Sequence, residues 1–386
     1  MRRIIILFLL CMLCANIKSL CNNCISETDA FTPQNHVIIG MQMWYAPLIG
    51  SNEKKAENKK RFTTELDTLK ALGVNTINVL AGAKFVPTPT DSLHLTAGHL
   101  TLMCSDEHLF KGLDFVLNEL HKRQMKAIVS MSQQWTDASD TAAISSFIKK
   151  MSERKNCYSK VLYQSDTTIV AWQICDAPYT QTKDSLQLYV DWCAKQAKLL
   201  KDSGLKQPIA IAYAPLDVTS NSDEQMFQNV MSYNYFDLVL VAFNPYRMRW
   251  VMPGDLYNAL GKIYLKASDK IQTYMRIAQG LDKPFALCDC AYPRTAMFTR
   301  PNTNTDSRDA YFSYLLNLFA DATQGDYAQF KGVVFNGWGG NVMQTKDMWQ
   351  NPYDFTAEYP NETKGRYSIF SKDTSTLNVL RSFWGK

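Results

Sequence analysis

The chain is 386 residues long, 46% hydrophobic and 20% charged, with 17 Gly and 14 Pro. That composition excludes a disordered, collagen-like or low-complexity protein. The net charge of +5 falls to +2 once Arg2, Arg3 and Lys18 are set aside, so the body lacks the basic footprint of a nucleic-acid binder.

Arg2-Arg3 precede an apolar run from Ile4 to Ala15. A short basic stretch before such a run reads as a secretory signal, and the run is short of the about 20 residues that span a bilayer. Cleavage is expected after Ala15 or Ser19, and a lipid-anchored start at Cys21 fits poorly because Lys18 and Leu20 precede it. The expected division is a signal peptide over 1–19, a tail over 20–35 and one domain over 36–386. The expected location is outside the cytoplasm: secreted, periplasmic or at the cell surface, with no integral membrane segment in the mature chain.

Eight cysteines follow the signal, at 21, 24, 104, 157, 175, 193, 288 and 290. An even number in an exported chain permits disulfides. Their irregular spacing fits scattered buried thiols better, and no paired zinc spacing is present. No cofactor or metal is expected.

Eight short apolar, β-branched runs alternate with helical patterns: 36–44, 75–81, 126–131, 168–175, 208–214, 237–243, 284–290 and 332–338. Helical spacing is clearest over 61–72, 109–120, 189–200, 269–278, 309–322 and 374–383. Gly73, Gly204 and Gly325 fall where helix C-caps belong. Repeated strand–helix units imply parallel strands. Eight of them predict an α/β fold, a single (β/α)8 TIM barrel. No Gly-rich phosphate loop supports a doubly wound alternative. Loops 82–105 and 339–366 follow strands and are expected on the rim.

In such a barrel the chemistry lies at the C-terminal strand ends. Those ends read Trp44-Tyr45, Asn78 to Gly82, Ser132 to Trp135, Cys175 to Pro178, Ala242 to Pro245, Cys288 to Ala291 and Asn336 to Gly340. The expected rim is rich in Trp and amides and poor in ionisable groups. Aromatic platforms with amide donors suit hydroxylated ligands such as sugars. A Trp at a strand end also often just caps the core. The five His stop at position 121, too clustered for a triad or metal site built from several strands.

Met41 to Tyr45, Leu69 to Asn75, Gly112 to Phe115, Tyr163 to Pro178, Lys283 to Arg294, Phe335 to Gly340 and Gly365 to Leu380 together resemble glycoside hydrolase family 5. The endo-β-1,4-mannanase branch is the nearest match, from about residue 36 to the C-terminus. The resemblance implies a retaining glycosidase barrel with an acid/base Glu on the fourth strand and a nucleophilic Glu on the seventh. Here the acid/base position is Ala177, the preceding Asn is Asp176, and the nucleophile position is Asp289. The strand-2 Arg that supports the nucleophile falls on Asn78, the strand-6 His and Tyr on Ala242 and Asn244, and the strand-8 Trp on Asn336.

Ala177 has no proton to give, and losing general-acid help alone removes about 10²–10⁴ in rate. Asp289 is one methylene short, and a misplacement of about 1 Å can cost about 10²-fold. The expectation is therefore a glycan-binding protein that has lost ordinary hydrolysis and holds a mannan-type polysaccharide or oligosaccharide. Trp44, Asn78, Trp135, Asn244, Trp250, Asn336 and Trp338 are the expected contacts. The alternative is an active endo-β-glycosidase that uses Asp176 and Asp289 as a rebuilt pair. A third reading, a purely structural role, gains if the rim Trp side chains are buried or the 339–366 loop fills the groove. Cys288 and Cys290 alternate with Asp289 and are expected to face the helices.

Overall fold

The computed structural model describes residues 36–51, 56–87, 98–133, 135, 141–176, 178–180, 182–216, 220–252, 254–294, 303–325, 327–341, 355–360 and 362–384. The expected signal and tail (1–35) and Ala177 lie outside the described residues.

Twelve strands are described: β1 (Ile38–Gln42), β2 (Thr76–Leu80), β3 (Lys84–Pro87), β4 (Gly98–Thr101), β5 (Lys126–Ser132), β6 (Ile169–Cys175), β7 (Ile209–Tyr213), β8 (Leu238–Ala242), β9 (Phe285–Cys290), β10 (Phe330–Phe335), β11 (Trp338–Gly340) and β12 (Ile369–Phe370). The described helices are α1 (Ala46–Ser51), α2 (Ala56–Ala71), α3 (Glu107–Lys122), α4 (Thr141–Glu153), α5 (Lys183–Asp202), α6 (Ser220–Ser232), α7 (Leu260–Gly280), α8 (Asp306–Gln324) and α9 (Thr374–Trp384). Eight strands close a parallel barrel in the order β1-β10-β9-β8-β7-β6-β5-β2. The predicted (β/α)8 barrel is thus the observed fold.

The barrel strands are nearly continuous apolar runs because both their faces are covered. β6, IVAWQIC, is buried throughout. Trp172 on it is fully buried against Tyr163, while Gln173, next along, joins a polar cluster of the barrel. Helix α3 starts at Asp106, whose side chain accepts from the backbone of His108. Thr182 and Ser185 cap α5 reciprocally. Where β10 meets β1, Gly332 has φ +147, and a Cβ there would lie 1.9 Å from the carbonyl oxygen of Ile38. Only glycine lets that seam close.

Gly73 (φ +90) and Gly204 (φ +84) take the left-handed cap conformation, whereas Gly325 ends α8 with an extended φ of −99. Seven strands lie within two residues of their sequence-based limits. The eighth runs 330–335 instead of 332–338, because Trp338–Gly340 leaves the barrel to pair with Ile369–Phe370. Loop 82–105 carries the antiparallel hairpin β3–β4. The β11–β12 pair holds both ends of the 339–366 loop beside the barrel mouth. No described helix is long and apolar enough to cross a membrane.

Candidate active site

The barrel mouth contains a belt of amides and hydroxyls, one strand end after another. Gln42 on β1 sits in register with Asn78 on β2, and Ser130 on β5 with Gln173 on β6. Asn78 Nδ2 donates to Gln173 Oε1 at 2.7 Å. Ser130 Oγ bridges Asn78 Oδ1 at 3.0 Å and Gln173 Oε1 at 2.8 Å. These bonds tie Asn78, Ser130 and Gln173 together beneath the side chains above them, whereas the buried Gln42 Oε1 has no partner.

Asp289 lies on a β-bulge. Leu287 pairs with Val333 and Cys290 with Phe335, so β9 carries one residue more than β10 across that step. Asp289 itself has φ +44, in the left-handed region. A bulge re-aims the side chain it carries. The Asp289 carboxylate receives Asn336 Nδ2 at 2.5 Å on Oδ1, and Arg247 Nη1 at 2.7 Å together with the Tyr179 hydroxyl on Oδ2. Arg247 continues to Glu362, Nη2 to Oε1 at 2.5 Å, between the rings of Tyr179 and Tyr367. Burial opposes the charge of Arg247, but Asp289 and Glu362 hold its pKa well above the usual value.

The bulge also breaks the strict alternation expected around Asp289. Cys288 and Cys290 are both buried, and burial followed by the Asp289 charge pushes both thiols well up. Those are the conditions of inert cysteines. Among the described residues, Cys104, Cys157, Cys175, Cys193, Cys288 and Cys290 form no disulfide with one another.

Asp176, at the end of β6, is 6% exposed. Its Oδ2 accepts from Gln42 Nε2 at 2.5 Å and from the Tyr359 hydroxyl. Burial raises its pKa to about 6, the Asp289 charge pushes the same way, and Tyr359, Arg247 and Gln42 pull it down. The neutral form is therefore favoured by the fold. Its stabilisation is complete below the unfolded carboxylate range near pH 4 and is lost as pH rises through about 6. Asp176→Asn is expected to remove roughly 3 kcal/mol of pH dependence between about pH 4 and 6, measured by urea unfolding across that range. An unchanged profile would mean that Asp176 titrates normally.

Among the expected contacts, Asn78, Asn336, Asp176 and Asp289 come together in the barrel mouth. Asn244 is fully buried, and its Oδ1 accepts from the backbone of Arg247, which sets the loop carrying the guanidinium. Trp44 is buried and donates through Nε1 to the Thr356 carbonyl at 2.9 Å. Trp250 is buried beside Phe243, and Trp338 is buried at the start of β11. Trp135 is half-buried, edge-on to Tyr189.

Two expectations from the sequence change. Asp289 is expected to lack a cation because the family's strand-2 Arg falls on Asn78, but Arg247 reaches Asp289 from the sixth barrel strand's loop. The rim is not poor in ionisable groups, because Arg247, Glu358 and Glu362 all sit there. Sequence reasoning also missed Tyr179, Tyr359 and Gln42. Arg247 follows Asn244 by three residues, and that charge just past a strand end was the available signal. Among the described residues, no group of three or more His, Cys, Asp or Glu could hold a metal.

A closed (β/α)8 barrel with carboxyls at the ends of its fourth and seventh strands is the architecture of glycoside hydrolases that work through a carboxyl pair. The family model described as GH family 5 beta-mannosidase-like matches residues 26–143 and 137–385. The chain belongs to that family. It is 28% identical over 123 residues to mannan endo-1,4-beta-mannosidase 1 of Solanum lycopersicum, covering 25% of this chain and 31% of that protein. It is 22% identical over 257 residues to the putative mannan endo-1,4-beta-mannosidase 5 of Oryza sativa subsp. japonica, covering 57% and 52%. The chain thus spans about a third to a half of the length of these plant relatives. The family 5 mannosidase from Rhizomucor miehei superposes with a TM-score of 0.72 at 18% identity, covering 91% of this chain and 92% of that one. A variant of that enzyme in complex with mannosyl-fructose gives 0.73 at 18% identity, over 93% and 95%.

Proposed function

We propose that this chain is an exported, non-hydrolysing member of its family whose groove serves a β-mannan-type glycan. The observation that carries this reading is the missing proton donor: the acid/base position holds Ala177, and Asp176 beside it is enclosed by Gln42 and Tyr359. Both oxygens of Asp289 and the Oδ2 of Asp176 are engaged by Asn336, Arg247, Tyr179, Gln42 and Tyr359. Retaining hydrolysis needs a carboxylate nucleophile facing a proton donor, about 5–5.5 Å apart. The acid/base position, Ala177, supplies no proton. The glycan class comes from the family and from the mannosyl-fructose held by the Rhizomucor miehei variant. Export rests on the basic-then-apolar segment at 2–15.

The test is a panel of β-mannans and β-glucans, scored for reducing-sugar release and for retardation in affinity gels. Retardation on a mannan without turnover is the expected result. The burial of Trp44, Trp250 and Trp338 and the segment over the barrel mouth favour a third reading, a purely structural role. Absence of retardation on every glycan would uphold that role, and ordinary turnover would refute the loss of chemistry.

One observation favours the second reading, an active enzyme with a rebuilt pair. Asp176 has a pKa raised to about 6, the property of a general acid. In that case reducing-sugar release vanishes in both Asp176→Asn and Asp289→Asn.

A further inference from the structure

Residues 355–360 and 362–368 lie across the mouth of the barrel, where Phe355 and Thr356 pack on Trp44 and Tyr45, and their other contacts fall into two sets. The first is internal. The buried Glu358 carboxylate accepts from the backbone of Tyr367 at 2.6 Å and of Ser368 at 2.8 Å. It also accepts from the hydroxyls of Ser368 at 2.7 Å and Thr356 at 2.8 Å. Four donors on one carboxylate fix the shape of the segment around Glu358. Its C-terminal foot is fixed separately, where the Ser368 carbonyl accepts from Arg294 at 3.1 Å and Arg308 at 2.9 Å.

The second set faces the site. The Tyr359 ring lies 5.1 Å from that of Trp44, tilted by 36°, and its hydroxyl donates to Asp176. Glu362 caps Arg247. A flat ring on an indole and a hydroxyl on a carboxylate are the two contacts a pyranose unit makes with such a surface. Exchanging them for glycan contacts costs little net hydrogen bonding, because each bond lost is replaced by another.

We propose that residues 355–360 and 362–368 form a self-occupying plug, shaped by Glu358, in which Tyr359 stands in for a sugar unit and which a β-mannan-type oligosaccharide displaces from Trp44 and Asp176. This regulation rests on the glycan-binding reading above, and its test separates the two. The double variant Tyr359→Phe, Glu362→Gln loosens the site contacts and leaves the Glu358 contacts intact. Hydroxyl-radical footprinting reads the exposure of Trp44, and calorimetry with mannohexaose reads binding. The expected result is several-fold more labelling of Trp44 and about tenfold tighter binding, the equivalent of about 1.4 kcal/mol. More labelling without mannohexaose binding in either protein would uphold the plug and sink the glycan reading. Equal binding and equal labelling in both proteins would overturn the plug and leave the glycan reading standing. No change in labelling together with no binding would overturn both. If the variant fails to fold, the wild-type protein decides: saturating mannohexaose is expected to raise labelling of Tyr359, and unchanged labelling on a bound complex would overturn the plug.

Discussion

Replacing Arg247 with Met is expected to cost about 3–5 kcal/mol of folding stability, the range for removing one partner of a buried ion pair. The guanidinium serves two carboxylates at once, Asp289 at 2.7 Å and Glu362 at 2.5 Å. Without it both acids keep their desolvation and lose their compensation. Arg247→Lys is expected to recover only part of the loss, because one ammonium lacks the planar fork that bridges the two. Arg247 also lowers the pKa of Asp176. In Arg247→Met the Asp176 titration is therefore expected to move above pH 6, while its stabilising direction is unchanged. Urea unfolding gives the first quantity and its pH series the second. A stability loss below about 1 kcal/mol would show that the pair is solvent-screened and worth no more than a surface bridge.

Replacing Asp373 with Ala is expected to have an effect of similar size, about 3–5 kcal/mol. The side chains of Arg294 and Arg308 are 2% and 0% exposed, and both donate to Asp373 Oδ2. Burial, followed by the neighbouring Arg294 charge, already pushes the Arg308 pKa down to about 10. Without Asp373 two guanidiniums face each other in a dry pocket. Asp373→Asn keeps an acceptor but no charge and is expected to fall between the wild type and Asp373→Ala in a thermal melt. Arg308→Met in the Asp373→Ala background is expected to recover stability, because it removes one unpaired cation. If the double variant is no more stable than the single one, like-charge repulsion is not the cause.

The barrel could be read from the chain because each of its strands is a local signal. A run such as IVAWQIC is buried on both faces wherever it lies in a parallel sheet, and its limits follow from its own residues. Helix α1 has only six residues and α6 reads SNSDEQMFQNVMS, mostly polar, so neither shows clear helical spacing; α4 is as long and apolar as α9, and its absence from the sequence reading has no such reason. The site was read in part. Asp176, Asp289, Asn78 and Asn336 sit at strand ends, so barrel geometry brings them together. Arg247, Tyr179, Tyr359 and Glu362 come from loops, and periodicity carries no information about where a loop folds back. Asp289 also owes its aim to one extra residue in β9, which is visible only once β9 is paired with β10. The Trp residues show the converse. Their positions near strand ends were clear, but Trp44 is covered by a segment more than 300 residues later in the chain.

If hydrolysis is lost as proposed, the left-handed backbone at Asp289 makes that loss hard to reverse. Short polar residues such as Asp tolerate φ +44, whereas a longer side chain pays about 1–2 kcal/mol for it. Placing glutamate at 289 by a single codon change would therefore not by itself deliver a longer arm with the same aim. The bulge would first have to re-register against β10. On the proposed reading, the cleft is freer to take a new use than to regain a carboxylate of that length.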